Sequence, residues 1–174
     1  MTPRDYPDEI AGPYDPPPKS FTDREGREIE IRRYESGLDP LVEMYLDFDP
    51  EDRAQGIPPT EEKRIRKWLE AILGEGCINV VAVHEAPVGH ATLVPDGDGA
   101  YELAIFVLSE YQESGIGTEL ITGLLGAGRE SGIDRVWLTV ERWNRAAIVL
   151  YEKVGFETHD DGSFELEMTA RLSD

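Results

Sequence analysis

Residues Tyr111–Thr118 read Y-Q-E-S-G-I-G-T, and their setting decides the fold. Before them runs Tyr101–Leu108 (YELAIFVL), with the composition of a strand. After them Ile116, Leu120, Ile121, Leu124 and Leu125 recur at helical spacing, in a helix expected from about Gly115 to Ser131. A strand ends, a short connection intervenes, and a helix starts on two glycines. Glycine there lets a ligand approach the backbone, and the orphan N–H groups and positive dipole end hold an anion. A pyrophosphate is the natural guest, although the segment alone also reads as a glycine-rich turn that merely starts a helix. It is not a dinucleotide fingerprint, because Leu120 stands where the third glycine belongs and the glycines come late after Leu108. Nor is it a P-loop: Gly123 to Gly128 is followed by Arg129 rather than Lys-Ser/Thr.

Working outward, Ile78–His84 (INVVAVH) is a nearly continuous apolar run, expected to be covered on both faces. Val88–Val94 follows after Glu85-Ala86-Pro87, and Tyr101 follows the turn Asp96-Gly97-Asp98-Gly99, so three strands form an antiparallel meander. Glu28–Tyr34 alternates as a strand. Asp39-Pro40 offers an N-cap and an N1 proline to a helix through Leu41, Val42, Tyr45 and Leu46. A second helix opens at Thr60 and carries Ile65, Trp68, Leu69, Ile72 and Leu73. Beyond the glycine helix come a strand at Arg135–Val140, a helix capped by Asn144 and ending at Val154 before Gly155, and alternation from Phe164 to Leu172. The order is β α α β β β α β α β(β). The crossover after Leu108 requires a parallel pair in an otherwise antiparallel sheet, an α+β (mixed α/β) class.

At 174 residues this is one domain's worth of chain. Residues 1–27 hold six of the 12 prolines and are expected to form a proline-rich tail, leaving 28–174 as the folded domain. No apolar run approaches a membrane span, and the amino terminus lacks the apolar core of a secretory signal. Cys77 is the single cysteine, so neither an internal disulfide nor a cysteine zinc site is available. His84, His90 and His159 are scattered, each expected at a strand end or turn, so no metal is expected. The 36 acids against 17 bases give a net charge of -19, which disfavours nucleic acid and anionic lipid as partners. The acids are dispersed and lysine appears only at positions 19, 63, 67 and 153. That pattern is expected of a cytoplasmic protein from a high-salt cell such as a halophilic archaeon, an ordinary acidic protein with an acidic tail being the alternative.

A second block, Asn144–Phe156, reads N-R-A-A-I-V-L-Y-E-K-V-G-F. Q-x-x-G-x-G (Gln112, Gly115, Gly117), then a strand, then N-x-x-A-x-x-x-Y-x-x-x-G-F (Asn144, Ala147, Tyr151, Gly155, Phe156) resembles the GCN5-related N-acetyltransferase (GNAT) superfamily. The resemblance covers residues 28 to 172 and includes the order of elements. It implies an enzyme that moves acetyl from acetyl-CoA to a primary amine by direct attack. It implies that the backbone of Phe106, Val107 and Leu108 runs beside the pantetheine arm, where the family splays its strand at a bulge. The amides of Gln112, Glu113, Ser114, Gly115, Ile116, Gly117 and Thr118 then cradle the pyrophosphate. Asn144 and Ala147 contact the cofactor, Asn144 also serving as a plain N-cap. Tyr151 matches the family's general acid, or else is a core aromatic. Glu113 and Ser114 depart from the family, which often has glycine or a basic residue there. An acid beside the pyrophosphate weakens binding unless salt screens it, and Ser114 offers a hydroxyl to a phosphate.

Attack needs a neutral amine, and a lysine amine has an ordinary pKa of about 10.4, so a carboxylate base is required, often through water. Glu102 is the first candidate and Glu141 the second, each otherwise a solvated acid. A backbone N–H near Val107 is expected to hold the oxyanion. The two helices from Leu41 to Leu73 and the acidic loop Asp49–Pro59 are expected to wall the acceptor site. A protein lysine or N-terminal amine is the expected acceptor, with a slight lean to lysine. A small amine, or a non-catalytic acyl-CoA sensor on the same fold, is the alternative. A monomer or homodimer is expected.

Overall fold

Ile29 and Ile31 alternate with Glu28, Glu30 and Arg32, so one face of that segment enters the core and the other stays wet. The computed structural model describes residues 4–49 and 57–174. Its elements are β1 (Lys19–Thr22), β2 (Glu28–Arg33), α1 (Asp39–Leu46), α2 (Glu62–Ile72), β3 (Ile78–His84), β4 (Ala86–Pro95) and β5 (Tyr101–Val107). There follow α3 (Ile116–Glu130), β6 (Arg135–Glu141), α4 (Arg145–Lys153), β7 (Glu157–His159) and β8 (Glu165–Arg171). The eight strands form one sheet in the order β1-β2-β3-β4-β5-β6-β8-β7. Among the named strands of the described residues, β5 and β6 are the one parallel pair, as the crossover through α3 requires.

Two cores cover the two faces. Ile116, Leu120, Ile121, Leu124 and Leu125 of α3 are all at most 1% exposed and pack with Val80, Ala82, Ala91, Leu93 and Leu103. Each such side chain contributes roughly 1.5–3 kcal/mol of burial. On the opposite face, Leu41, Val42, Tyr45, Ile65 and Leu69 of α1 and α2 pack on Val81. β3 therefore sends alternate residues into both cores, which explains its unbroken apolar run.

The differences from the sequence reading are local. Leu38, not Asp39, is the N-cap of α1; the Asp39 carboxylate instead meets Arg66 at 2.8 Å. Lys19–Thr22, inside the segment expected as tail, is an edge strand paired with Glu28–Ile31. Part of the segment before it is tied onto the fold by hydrogen bonds. Thr169 donates to the Asp5 carbonyl, Arg171 to the Pro7 carbonyl, and Tyr14 to the Val154 carbonyl. At Gly126 the tail passes so close that a Cβ would stand 2.6 Å from the Tyr14 carbonyl oxygen. His90 is not at a strand end but in the middle of β4, fully buried.

Candidate active site

The parallel pair β5–β6 is joined only at Tyr101↔Val136 and Glu102↔Trp137. On their outer sides β5 pairs with β4 along its whole length and β6 pairs with β8 along its whole length. The sheet thus opens from within, leaving Leu103–Val107 and Leu138–Glu141 facing a gap. Polar backbone groups lining such a gap require partners from elsewhere. The splay comes without the expected bulge: the β4–β5 register is continuous, and the sheet's irregularity lies between β3 and β4 at Ala82/Val83.

Register decides which groups face the gap. The Leu108 N–H donates to the Val88 carbonyl at 3.0 Å, so by antiparallel alternation Phe106 bonds toward β4. Leu103, Ile105 and Val107 then turn their backbone groups into the gap. The Val107 carbonyl there accepts the Gln112 side-chain amide at 3.0 Å. Of the three residues expected along the pantetheine, Val107 presents its main chain to the gap. The side chain of Phe106 packs with Tyr45, Phe48 and Trp68 on the α1–α2 side.

The loop after β5 makes a short 3-10 turn at Ser109–Tyr111, and Gln112 closes it. Glu113 adopts φ +57° and Gly115 φ +97°, a left-handed conformation that suits glycine and sets Gly115 as N-cap of α3. No side chain caps this helix, so the first-turn amides of Ile116, Gly117 and Thr118 lack helical acceptors. The amides of Glu113, Ser114 and Gly115 also donate to no protein carbonyl among the described residues. Space is open above Gly115, and a Cβ on Gly117 would stand 3.3 Å from Cδ2 of Leu150 in α4. Orphan amides, missing side chains and an unpaired strand edge together fit a long ligand with an anionic end, and acetyl-CoA has that shape and charge. Ser114 does not offer its hydroxyl outward: it is 2% exposed and donates to the Tyr111 carbonyl at 2.5 Å.

On the far side of the gap, Asn144 caps α4 through Oδ1, which accepts the Ala147 N–H at 3.2 Å. Its side-chain amide nitrogen has no partner among the described residues. Tyr151 lies one face inward on α4, 8% exposed, with its ring 5.9 Å from that of Phe156. Its hydroxyl makes no hydrogen bond among the described residues, and burial pushes its pKa up to about 12.

Glu102 stands at the last residue before the splay, on the same strand face as Phe106 and so on the α1–α2 side. Burial pushes its carboxyl up, the Arg4 guanidinium draws it down, and Glu165 and Asp96 push it up again; the net direction is up. Solvent still reaches the residue and screens these effects. Arg4 stacks 3.5 Å over Trp137 and pairs with Glu167, so the tail lies beside this carboxylate. Glu141 stands at the end of β6, where its carboxylate accepts the Trp143 indole N–H. The structure thus sets Glu102 and Val107 on one edge of the gap, the α3 loop at its mouth, and Asn144 and Tyr151 on α4.

The sequence reading misses a buried polar chain. Asn79 donates to the Ile72 carbonyl at 2.9 Å, which leaves its Oδ1 to accept the His90 Nε2–H at 2.7 Å. His90 Nδ1 then accepts the Tyr45 hydroxyl at 2.6 Å. Burial lowers the His90 pKa to about 3, so the ring is neutral. The β-strand pattern around His90 gave only a polar residue in an apolar run as a signal. Among the described residues no group of three or more His, Cys, Asp or Glu is placed to hold a metal. Residues 50–56 of the expected acceptor loop lie outside the described residues.

Comparison with known proteins agrees with this geometry. The sequence model of the acetyltransferase (GNAT) family matches residues 38–156. The chain is 39% identical over 111 residues to the [ribosomal protein bS18]-alanine N-acetyltransferase of Escherichia coli, covering 61% of this chain and 69% of that protein. It is 31% identical over 136 residues to human N-alpha-acetyltransferase 30, covering 76% of this chain but only 36% of the relative's length. The solved GNAT domain of S. lividans PAT superposes with a TM-score of 0.78 at 16% identity, over 89% of this chain and 97% of that one. That likeness is one of fold. The matched residues include the splay, the glycine loop and the capped helix beside it, and the chain belongs to the acetyltransferase (GNAT) family.

Proposed function

We propose that this enzyme acetylates the N-terminal α-amine of a protein. The observation that carries the reading is the similarity to two relatives, one named for an alanine of a ribosomal protein and the other for an alpha nitrogen. Against the expected lean to a lysine side chain, those names favour the N-terminus. The bound co-substrate supplies an activated thioester. The chain's own residues do the rest. The orphan amides at the start of α3 hold its phosphates, and the gap edge of β5 aligns its arm, with the Val107 N–H directed to the acyl oxygen. Glu102 accepts the ammonium proton, through water, on the face where α1 and α2 stand. Tyr151 donates a hydrogen bond to the departing sulfur. A thiol is ordinarily far more acidic than a hydroxyl at about 12, so the proton is shared rather than fully transferred. The dispersed acid excess supports work in a high-salt cytoplasm.

The test is an acceptor screen in molar potassium chloride over N-terminal peptides with free or blocked α-amines, lysine peptides, polyamines and amino acids. The reading expects acetyl on free α-amines, located by mass spectrometry. Acetyl on the lysines of blocked peptides, or only on small amines, overturns it.

A further inference from the structure

The glycine loop contains no cation: Glu113 is the only charged side chain from Gln112 to Thr118. Yet the coenzyme brings several phosphate charges to a chain of net charge -19. The structure brings cations to this loop from elsewhere. The β1–β2 turn lies outside the residues matched by the family. There Asp23, buried, accepts the backbone N–H groups of Glu25 and Arg27 and the Arg27 side chain. Burial opposes its charge, but these hydrogen bonds outweigh it and hold the carboxyl below the usual range.

The turn so fixed docks on the glycine loop. The Arg24 N–H donates to the Ser114 carbonyl at 3.1 Å, and its guanidinium reaches the Glu113 carbonyl at 3.4 Å. Arg27 donates to the Glu110 carbonyl at 3.2 Å and stacks 4.0 Å over Tyr111. Arg24 and Lys153, at the end of α4, then line one open hollow of about 300 Å³ with Gly115 and Thr118. Glu119 and Asp23 also line it, but Lys19 pairs with the first carboxylate at 2.9 Å and Arg27 with the second at 2.7 Å. Among the described residues neither Arg24 nor Lys153 has a carboxylate within ion-pair distance, although acids outnumber bases 36 to 17. Two cations without an ion pair, lining one hollow beside orphan amides, ask for an anion.

We propose that Arg24 and Lys153 clamp a phosphate of the coenzyme's nucleotide end, replacing from an N-terminal hairpin and from α4 the charge that the loop itself lacks. This rests on the acetyl-CoA reading of the site and extends it to residues no motif marks. The carbonyl contacts of Arg24 also couple the hairpin to the loop's shape, so a charge effect has to be separated from a shape effect.

Calorimetry on the full chain with acetyl-CoA separates them. In about 0.01 M potassium chloride, where charges reach far, Arg24→Ala and Lys153→Ala are each expected to weaken binding about five- to tenfold. Arg24→Lys is expected to restore most of the loss, and in about 1 M salt the loss is expected to shrink toward twofold. The Lys153 side chain makes no hydrogen bond to the loop among the described residues, so Lys153→Ala remains decisive if Arg24→Ala disturbs the loop or melts early. 3′-Dephospho-acetyl-CoA identifies the clamped group. If the variants' loss vanishes with it, the 3′-phosphate is held; if the loss persists, the pyrophosphate is held. Wild-type affinity in both alanine variants overturns the clamp while leaving the site intact. A wild-type chain that does not bind acetyl-CoA at all overturns the reading beneath it.

Discussion

Replacing Tyr151 by phenylalanine isolates one atom. The ring keeps its contact with Phe156 at 5.9 Å, and the lost hydroxyl has no protein partner among the described residues. Folding therefore has nothing to lose, and the melting temperature is expected to hold or rise slightly. Catalysis does lose something. Burial lifts the hydroxyl to about 12, which keeps it protonated at any working pH but makes full proton transfer to a thiolate uphill. A hydrogen bond to a charged group is worth about 1.5–3 kcal/mol, or roughly 10- to 150-fold, and a full general acid about 10²- to 10⁴-fold. The two ranges meet near 10², and kcat is expected to fall by about that factor. Acetyl-CoA affinity is expected to remain within a few fold. Steady-state release of free coenzyme A, followed with a thiol reagent, measures the first, and calorimetry the second. A kcat within about twofold of wild type refutes the role and leaves Tyr151 as a core aromatic.

Gly117→Asp puts a Cβ against Leu150 and a carboxylate where the phosphates belong, so acetyl-CoA binding is expected to be abolished. An acid in a helix's first turn favours the helix, so the melting temperature is expected to hold; unchanged affinity refutes the site. Glu102→Gln is expected to lower kcat/KM at neutral pH about 10²-fold. Arg4→Ala, which removes the charge that draws Glu102 down, is expected to move the acid limb of the pH profile to higher pH; an unmoved limb excludes Glu102 as the base. His90 has a folded pKa of about 3, below its ordinary value near 6.5, so its stabilising contribution is complete above pH 6.5 and is lost as pH falls toward 3. Chemical denaturation is expected to show about 2 kcal/mol lost between pH 6.5 and 5 in the wild type, and a flatter dependence in His90→Asn; equal slopes refute the buried neutral ring. Finally, the charge of -19 predicts a melting temperature that rises from about 0.01 M to about 1 M potassium chloride, and a falling one refutes the high-salt reading.

Local chemistry is what the sequence makes legible. Asn144 caps α4 as its residue type and spacing predict, Gly155 takes a left-handed φ of +112° behind it, and the glycine loop opens α3 at Gly115. Those features depend on neighbours within a few positions. β1 does not: Lys-Ser-Phe-Thr carries no strong pattern and becomes a strand only by pairing with Glu28–Ile31. The capping of α1 is likewise decided from afar, since Arg66 takes the carboxylate that Asp39 would use as a cap. At the site, Glu113 and Ser114 are visible as departures, but their consequences are not. The serine turns inward onto Tyr111, and the missing cations arrive with Arg24 and Lys153, remote in sequence and marked by no motif. The solvent-accessible acids are hardest to rank by pattern, and only the end of the β5–β6 pairing singles out Glu102.

Whether the chain turns over acetyl-CoA is the most direct test of the account. The 174-residue chain, in molar potassium chloride, is mixed with acetyl-CoA and a panel of free-amine peptides, and free coenzyme A is followed against controls lacking peptide. The account predicts steady release of many equivalents that depends on the peptide and stops when its amine is blocked. Tight binding of acetyl-CoA with no release on any amine would contradict it, and would make the splay and its glycine loop the pocket of a sensor.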